Sequence, residues 1–462
     1  MYHWVVNQRT DMWNLLRDMR KARRGGPGAI ARRQRDRLAA MVNHARADSP
    51  FYRELYRGLP DRVTDPTLLP VTDKATLMAD FDNWITAPDL TLAEVRDFVA
   101  DRSRIGQRLH RRYPITTTSG TTGVHGIFVQ DPHSAAVTAA MAGRMFGSLI
   151  GVRDALAILA KGRRIAFVVP DGGHFASTAA AARFASHRAV KVFSVHKPLP
   201  QLVDELNRWR PALLLPYATV GALLAREAEA GRLTIDPVLV MLSAEGLSPT
   251  EYDRIAAAFD ATVGHSWAAN EVPFLSYGCR YHWLHVNADW VIVEPVDADH
   301  RPVSPGEPSH TVLVTNLANR IQPILRYDLG DSVVMRPDRC ECGNPLPAVR
   351  VQGRAADLLT FTTGAGEPVV LAPLAVATLV ERVRGVELFQ VVQTSPTGLS
   401  VRLRPAEGVD INRLWTDVRG GLTALLAEHD LSDVTVERAT EPPQQTTGGK
   451  YRTVIPLREA GT

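Results

Sequence analysis

Apolar positions recur along this chain at two spacings, and the spacing changes from region to region. Residues 11–24 and 32–46 carry them at helical intervals; in the second segment Leu38, Ala39, Met41 and Val42 alternate with arginines. Gly25-Gly26-Pro27-Gly28 separates these two helices, and Ser49-Pro50 restarts the chain into Phe51, Leu55 and Tyr56. Between 110 and 330 the pattern changes. Strand-length apolar runs at 165–169, 190–195, 212–215 and 238–242 alternate with helical stretches at 135–149, 176–187, 202–208, 220–230 and 250–259. That alternation predicts a largely parallel sheet covered on both faces. After about Val263 the helices thin out, and strands at 290–294 and 311–315 around a proline-rich turn at 302–308 predict a more antiparallel annex. Beyond 354 two strands (388–392, 399–403), a long helix (411–428) and two more strands (434–438, 452–456) predict a small α+β unit.

Length supports this division. At 462 residues the chain exceeds the roughly 250–300 at which single cores stop growing. The expected boundaries are 1–353 for a large α/β domain with N-terminal helices and 354–462 for a small α+β domain, which the family resemblance given below implies is mobile. Charge changes the picture little. Fifty-three basic against 49 acidic side chains give +4, too balanced to argue for nucleic acid, so the arginine-rich helix reads as a solvated face. Lysine stands only at positions 21, 74, 161, 191, 197 and 450, which draws attention to the last. Three cysteines exclude a disulfide scaffold. No run of about 18 apolar residues occurs, and the start lacks a basic leader followed by an apolar stretch. A cytoplasmic protein without a membrane partner is expected.

The strongest local chemical signal is Thr116-Thr117-Thr118-Ser119-Gly120-Thr121-Thr122-Gly123. Hydroxyls and free N–H groups surround glycines that allow a close turn, as a loop wrapping phosphate oxygens requires. It is neither a Walker loop nor GxGxxG. A second signal is Cys340-x-Cys342. With Cys279 and His285 it reaches the Cys₃His count of a structural zinc site, with His282 as the alternative histidine. A third is the loop 171–175 at the carboxyl end of an expected strand, where ligand crevices form. It offers His174 and Phe175, and with Tyr217, Trp267 and Phe274 it supplies aromatic walls for a substrate pocket.

Read together, these pieces resemble the ANL superfamily of adenylate-forming enzymes. Ser119–Gly123 is similar to its phosphate loop and Ala244-Glu245-Gly246 to its adenine-side segment. Trp267-Ala268-Ala269-Asn270-Glu271 stands where the family has Tyr-Gly-x-Thr-Glu. Arg326-Tyr327-Asp328-Leu329-Gly330-Asp331 is similar to its ribose motif, Gly353-Arg354 to Asp357 to its hinge, and Thr446-Thr447-Gly448-Gly449-Lys450 to its terminal lysine loop. Ser49-Pro50-Phe51-Tyr52-Arg53-Glu54 resembles the phenylacetate–CoA ligase and CapK-like subgroup, whose members often carry similar cysteines after the ribose motif. The resemblance implies an AMP-forming acid ligase, of acid–thiol type first, that turns a carboxylic acid (aryl or small acyl) and ATP into acyl-AMP and pyrophosphate.

The same resemblance implies the roles. Thr118 and Ser119–Gly123 would hold the β- and γ-phosphates, Ala244–Gly246 with Trp267 and Asn270 would flank the nucleotide, and Glu271 would hold Mg²⁺. Asp331 would accept from the ribose hydroxyls and Arg354 would reach ribose or phosphate. Asp357 would be the hinge, and Lys450 the catalytic cation. The acceptor would be CoA, a carrier protein or an amine, and a homodimer is a candidate assembly. The alternatives are amide or nitrogen–nitrogen bond formation, with nitrite in place of the acid, and a catalytically inactive nucleotide-binding homologue.

Overall fold

In the computed structural model the four apolar runs of the α/β region are strands lying side by side. The structure describes residues 8–118, 126–169, 174, 176–195, 197, 199–243, 246–247, 249–354, 359–364, 366, 368–371, 373–381, 383–444 and 452–457. Strands β1 (Ile165–Val169), β2 (Val190–Ser194), β3 (Leu213–Pro216), β4 (Leu239–Leu242) and β5 (Thr262–Trp267) run parallel in the order β2-β1-β3-β4-β5. Helices Ala176–Phe184, Leu199–Trp209, Ala218–Glu229 and Pro249–Phe259 connect them in turn. Alternate residues feed two cores. Ala166, Val168, Leu214 and Val240 pack on one face, while Leu213 and Leu239 meet Phe146 and Leu149 on the other. Burial on both faces is why these strands read as unbroken apolar runs.

The same sheet continues with antiparallel strands. β6 (Ser276–Gly278), β7 (Leu284–Val286), β8 (Asp331–Met335) and β9 (Ala348–Arg354) extend it in the order β5-β6-β7-β9-β8, giving nine strands. A second, three-stranded sheet joins Val291–Val296, Thr311–Asn316 and Tyr327–Asp328. A third joins Arg108–Leu109, Tyr113–Thr117 and Ile127–Val129. The annex expected after Val263 is thus partly an extension of the parallel sheet.

The N-terminal helices lie against these sheets. Helix α1 (Gln8–Arg24) is followed almost at once by α2 (Gly26–Asp48), so the glycine–proline break shrinks to a corner. Pro27 sits in the first turn of α2, where its missing N–H costs no hydrogen bond, so it starts the helix instead of delaying it. Ser49 then caps Pro50–Leu55 by accepting from the Tyr52 N–H. Tyr52 and Trp84 both donate to the Pro323 carbonyl, at 3.0 and 2.7 Å, and so fix the chain just before the 326–331 segment.

Residues after the large sheet build their own core. Val386–Ser395 and Gly398–Pro405 pair antiparallel, and each takes a parallel neighbour, Val454–Ile455 and Thr435–Arg438. Helix Ile411–Glu428 lays Leu414, Val418, Leu422 and Leu426 on this sheet at four-residue spacing. A hairpin (Leu359–Thr362 with Pro368–Leu371) and helix Pro373–Glu381 complete the unit, and neither is evident in the sequence pattern. Helix Val152–Ala160 is likewise unanticipated, and it exposes Val152, Leu156 and Leu159. Among the described residues no single helix is long and apolar enough to cross a membrane.

One buried ion pair joins the layers. Arg144, on helix Pro132–Leu149, donates to Asn287 Oδ1 and to Asp289 Oδ1, both at 2.9 Å, and the Asp289 side chain is wholly buried. Arg37 of α2 donates to the Asp289 carbonyl and covers the Trp290 ring at 3.4 Å. Replacing one member of such a pair strands a charge, whereas replacing both removes the need for it. Arg144→Met is expected to lower stability by about 3–5 kcal/mol, and Arg144→Met with Asp289→Leu to recover much of the loss, as read from urea-unfolding midpoints.

Candidate functional site

Trp267 ends β5 and Asp331 begins β8. Between these strands lie β6, β7 and β9. Four interstrand steps of about 4.8 Å would hold the two backbones roughly 19 Å apart in a flat sheet. Yet Trp267 Nε1 donates to Asp331 Oδ2 at 2.7 Å. The antiparallel half therefore curls, and the curl brings the ribose-motif aspartate under the indole. Indole is a donor only, so Asp331 Oδ2 is the acceptor in this bond. Asp331 also stands opposite Arg354 in the β8–β9 register, which puts the expected hinge at the same end of the hairpin.

Glu271 follows β5 and is buried. Tyr327 donates its hydroxyl to Glu271 Oε1 at 3.1 Å, and Asn316 donates to the Glu271 carbonyl at 3.3 Å. Burial, followed by the neighbouring carboxylate, pushes the Tyr327 phenol far above its ordinary range, so it stays a donor. Tyr327 was legible only as a letter of the ribose motif; its hold on Glu271 is a tertiary fact. Asp328 shapes the turn between them, accepting from Gly330 N at 2.9 Å and from the Thr311 hydroxyl, and Gly330 adopts φ +74°. Arg326 is spent on structure: it donates to the carbonyls of Leu69 (2.7 Å) and Thr67 (3.2 Å) and lies 3.4 Å from Glu294. Asn270 Oδ1 is buried without a partner, which leaves an acceptor beside Glu271 for a bound group.

The phosphate-loop side reaches this point through short contacts. Thr118 begins the loop; it donates N–H to the Gly126 carbonyl at 3.0 Å, and its hydroxyl accepts from Gly126 N at 2.9 Å. The segment before it pairs as a strand with Ile127–Val129. Thr72 exchanges backbone bonds with Arg326 and Asp328, which ties the loop's neighbourhood to the 326–331 motif. Ser119, Gly120, Thr121, Thr122, Gly123, Phe175, Ala244, Glu245, Asp357 and Lys450 lie outside the described residues, as does the side chain of Arg354.

Gly246 and Leu247 follow β4. The Leu247 N–H donates to the Tyr252 hydroxyl at 3.3 Å, and the Tyr252 ring stacks on His265 with centroids 4.5 Å apart. His265 is buried in β5, and burial, with His282 adding a little, pulls it down to about 4, so it is neutral at pH 7. Of the expected pocket residues, His174 is buried against Phe98, and its Nε2 lies 3.4 Å from the Asp101 carbonyl. Tyr217 shares a 3.0 Å hydroxyl contact with Ser177. Both side chains are engaged in joining layers.

A separate cluster lies beyond the other end of the same strands. Ligand atoms of Cys279, His285, Cys340 and Cys342 all fall within 4.8 Å of one another. Cys279 Sγ is 3.7 Å from Cys340 Sγ, and Cys342 Sγ is 3.1 Å from His285 Nε2. His285 is fully buried on β7, with Nδ1 3.0 Å from the Leu346 carbonyl. That contact puts the ring proton on Nδ1 and turns the Nε2 lone pair toward the sulfurs, the usual orienting partner of a ligating histidine. His282, the alternative, turns to Asp253 at 3.0 Å. Burial, with neighbouring thiols adding, pushes the Cys279 thiol up to about 12. A dication reverses that preference, so the set can hold a tetrahedral metal ion.

No family model matches this chain, and no curated protein sequence does. Solved structures do. A 2-hydroxyisobutyryl-CoA ligase in the postadenylation state, in complex with 2-HIB-AMP, gives a TM-score of 0.64 at 20% identity, over 93% of this chain and 89% of that one. The anthranilate CoA ligase AuaEII in complex with anthranoyl-AMP gives 0.51 at 14% identity, over 73% of this chain and 64% of that one. The amide bond synthetase McbA from Marinactinospora thermotolerans gives 0.51 at 14% identity, over 73% and 67%. The chain has the fold of the adenylate-forming ANL enzymes.

The buried imidazole generates a pH prediction. Unfolded, a histidine protonates near 6.5, whereas folded His265 refuses the proton until about 4. Within that window the unfolded chain binds more protons, so stability falls as pH falls, by up to about 3 kcal/mol, and levels off below it. His265→Gln is expected to flatten this part of the stability–pH curve, measured as urea midpoints against pH. An unchanged slope would assign the loss to other groups.

Proposed function

We propose that this protein activates a carboxylic acid with ATP, giving an acyl-adenylate and pyrophosphate, and then passes the acyl group to an acceptor. The observation that carries this reading is the convergence of two carboxylates, Glu271 and Asp331, each held by an aromatic donor, at the end of the sheet that also receives Gly246 and Thr118. Asp331 is suited to the vicinal hydroxyls of ribose, because a carboxylate offers two acceptor oxygens. Asn270 Oδ1 is an unfilled acceptor for the nucleotide side.

A carboxylate and a triphosphate repel, so the site must supply positive charge and donors. Thr118 and the N–H groups of Ser119–Gly123 cradle the β- and γ-phosphates. Glu271 is the hard oxygen ligand for Mg²⁺, which supplies charge to the phosphates when bound. Lys450 brings an ammonium to the attacking carboxylate and the α-phosphate. Asp357 is the hinge that moves it in and out. An acid–thiol ligase using CoA is the first form of this reading; an amine acceptor is the second, favoured by the likeness to an amide bond synthetase. The test is ATP–pyrophosphate exchange across aryl, alkyl and amino acids, with nitrite included. Exchange with an acid supports adenylation, and exchange with nitrite alone moves the reading to nitrogen–nitrogen chemistry. Lys450→Ala is expected to lose roughly 10²-fold or more in exchange rate and still bind ATP by calorimetry. Wild-type exchange in that variant would remove the lysine from the mechanism.

We also infer that Cys279, His285, Cys340 and Cys342 hold a structural Zn²⁺. The ligand set is closed, leaving no open position for catalysis. It clips the β6–β7 hairpin to the turn between β8 and β9. Unoxidised thiols at this spacing suit a reducing compartment such as the cytoplasm. Elemental analysis should find about one zinc per chain, and Cys340→Ala should lose it and unfold at lower temperature. Metal-free protein of unchanged stability would sink the assignment.

A further inference from the structure

At the corner between α1 and α2 the chain faces the turn between β8 and β9 across a cleft of about 630 Å³. Arg20, Arg23 and Arg24 line it from α1, and Arg339 from the opposite wall. Among the described residues none of these four guanidinium groups has an ion-pair partner. Their neighbours do: Arg33 and Arg37 share Asp18, and Arg336 holds Glu341. The last turn of α1 is a favourable place for cations, because the helix dipole is negative there. That accounts for Arg23 and Arg24. It does not account for Arg339, which comes from a different element and adds a like charge to the same space.

The floor of the cleft is open to backbone approach. Gly26 (φ +70°) and Gly343 (φ +79°) both line it, and a Cβ at either would meet nothing within 4 Å. Without side chains there, an anion can come close to the main chain between four donor forks. Guanidinium pairs phosphate oxygens in two parallel hydrogen bonds, which lysine cannot do. The net charge of the whole chain is only +4, and the arginines surround a bounded cleft rather than a long stripe. Both facts favour a compact anion over a polymer.

We propose that this cleft is a second anion site, built for a small ligand carrying two or more phosphate groups. It is separate from the nucleotide end. Asp331 and Arg354 pair at one end of the β8–β9 hairpin, and Arg339 and Gly343 lie in the turn at the other. Four strand steps of about 3.3 Å set the two apart by at least ~13 Å. Nor does the cleft depend on adenylation chemistry, since the four arginines would bind an oligophosphate whatever the main site does. The turn that supplies Arg339 and Gly343 also supplies Cys340 and Cys342, so one wall of the cleft is fastened by the cysteine–histidine cluster.

The test uses the full chain with its nucleotide site occupied by AMP, whose single phosphate leaves a site for two or more phosphate groups open. Inorganic triphosphate and adenosine 3′,5′-bisphosphate are titrated separately by calorimetry, at low and at physiological salt. Saturable binding of one equivalent, weakened by salt, is expected. Arg23→Ala and Arg339→Ala should each weaken it about tenfold or more. Arg35→Ala, on α2 outside the cleft, should leave it unchanged. Tighter binding of triphosphate would identify a free oligophosphate as the ligand; tighter binding of the bisphosphate would identify the phosphate groups of a nucleotide-type molecule. Arg23 is exposed on α1 and, among the described residues, makes no hydrogen bond to the cysteine turn it faces, so its variant reports on the cleft even if Arg339→Ala disturbs the metal ligands. No binding beyond that of chloride at equal ionic strength, or binding indifferent to Arg23→Ala, overturns the proposal.

Discussion

The 2.7 Å hydrogen bond between Trp267 and Asp331 sets the geometry on which the site depends. It joins strands separated by three others, and so it can exist only if the antiparallel half of the sheet rolls up. Sheet twist gives that half its tendency to curl, and strands as short as Ser276–Gly278 and Leu284–Val286 offer little resistance to it. The parallel half, with strands locked between helices on both faces, stays open. The molecule thus has one rigid half that supplies loops at strand ends and one curled half that folds two carboxylates toward those loops. The choice of Trp at 267 fits this duty. An indole can only donate, so it pins an acidic partner across the roll.

Four of the five parallel strands, β1 to β4, were legible in the sequence because each is followed by a helix and burial on both faces writes a continuous apolar run; β5, which no helix follows, was not. The curled half was less so. Three-residue strands have no periodicity to detect, and their pairing is decided by tertiary closure rather than by local pattern. Helix Val152–Ala160 carries Val152, Leu156 and Leu159 at helical spacing and was passed over all the same; in the fold that apolar face is exposed. The α1–α2 break was over-read: Pro27 is a stop signal inside a helix and a start signal in its first turn.

Site residues divide along the same line. Glu271 and Asp331 stood out because motifs place acids at fixed distances from glycines and aromatics. Tyr327 and Thr72 did not, because their roles are contacts between distant segments, 56 residues apart for Tyr327 with Glu271 and about 255 for Thr72 with Tyr327, and belong to the fold. The histidine of the cysteine cluster was left open between positions 282 and 285, since both are near enough in sequence. Strand register decides it. His285 lies within β7 opposite Ala348, inside the sheet, while His282 occupies the tight turn at φ +56° and points to Asp253.

The hairpin β8–β9 connects these facts. At one end it presents Asp331 opposite Arg354, where the small domain is expected to begin; at the other it turns through Cys340 and Cys342. A β-hairpin transmits register with little loss, because slipping by one residue would turn every buried side chain to the wrong face. Here the ladder has an irregularity between Ser332 and Val333, next to Asp331, where extra twist can be absorbed. The far turn, by contrast, has no regular pairing of its own between Met335 and Ala348, and four metal-ligand side chains meet there. A bound ion at that point would fix the end of the hairpin that backbone hydrogen bonds leave loose. The bulge would keep the other end adjustable, next to the hinge about which the small domain is expected to turn. Rigidity and freedom are thus assigned to opposite ends of one hairpin.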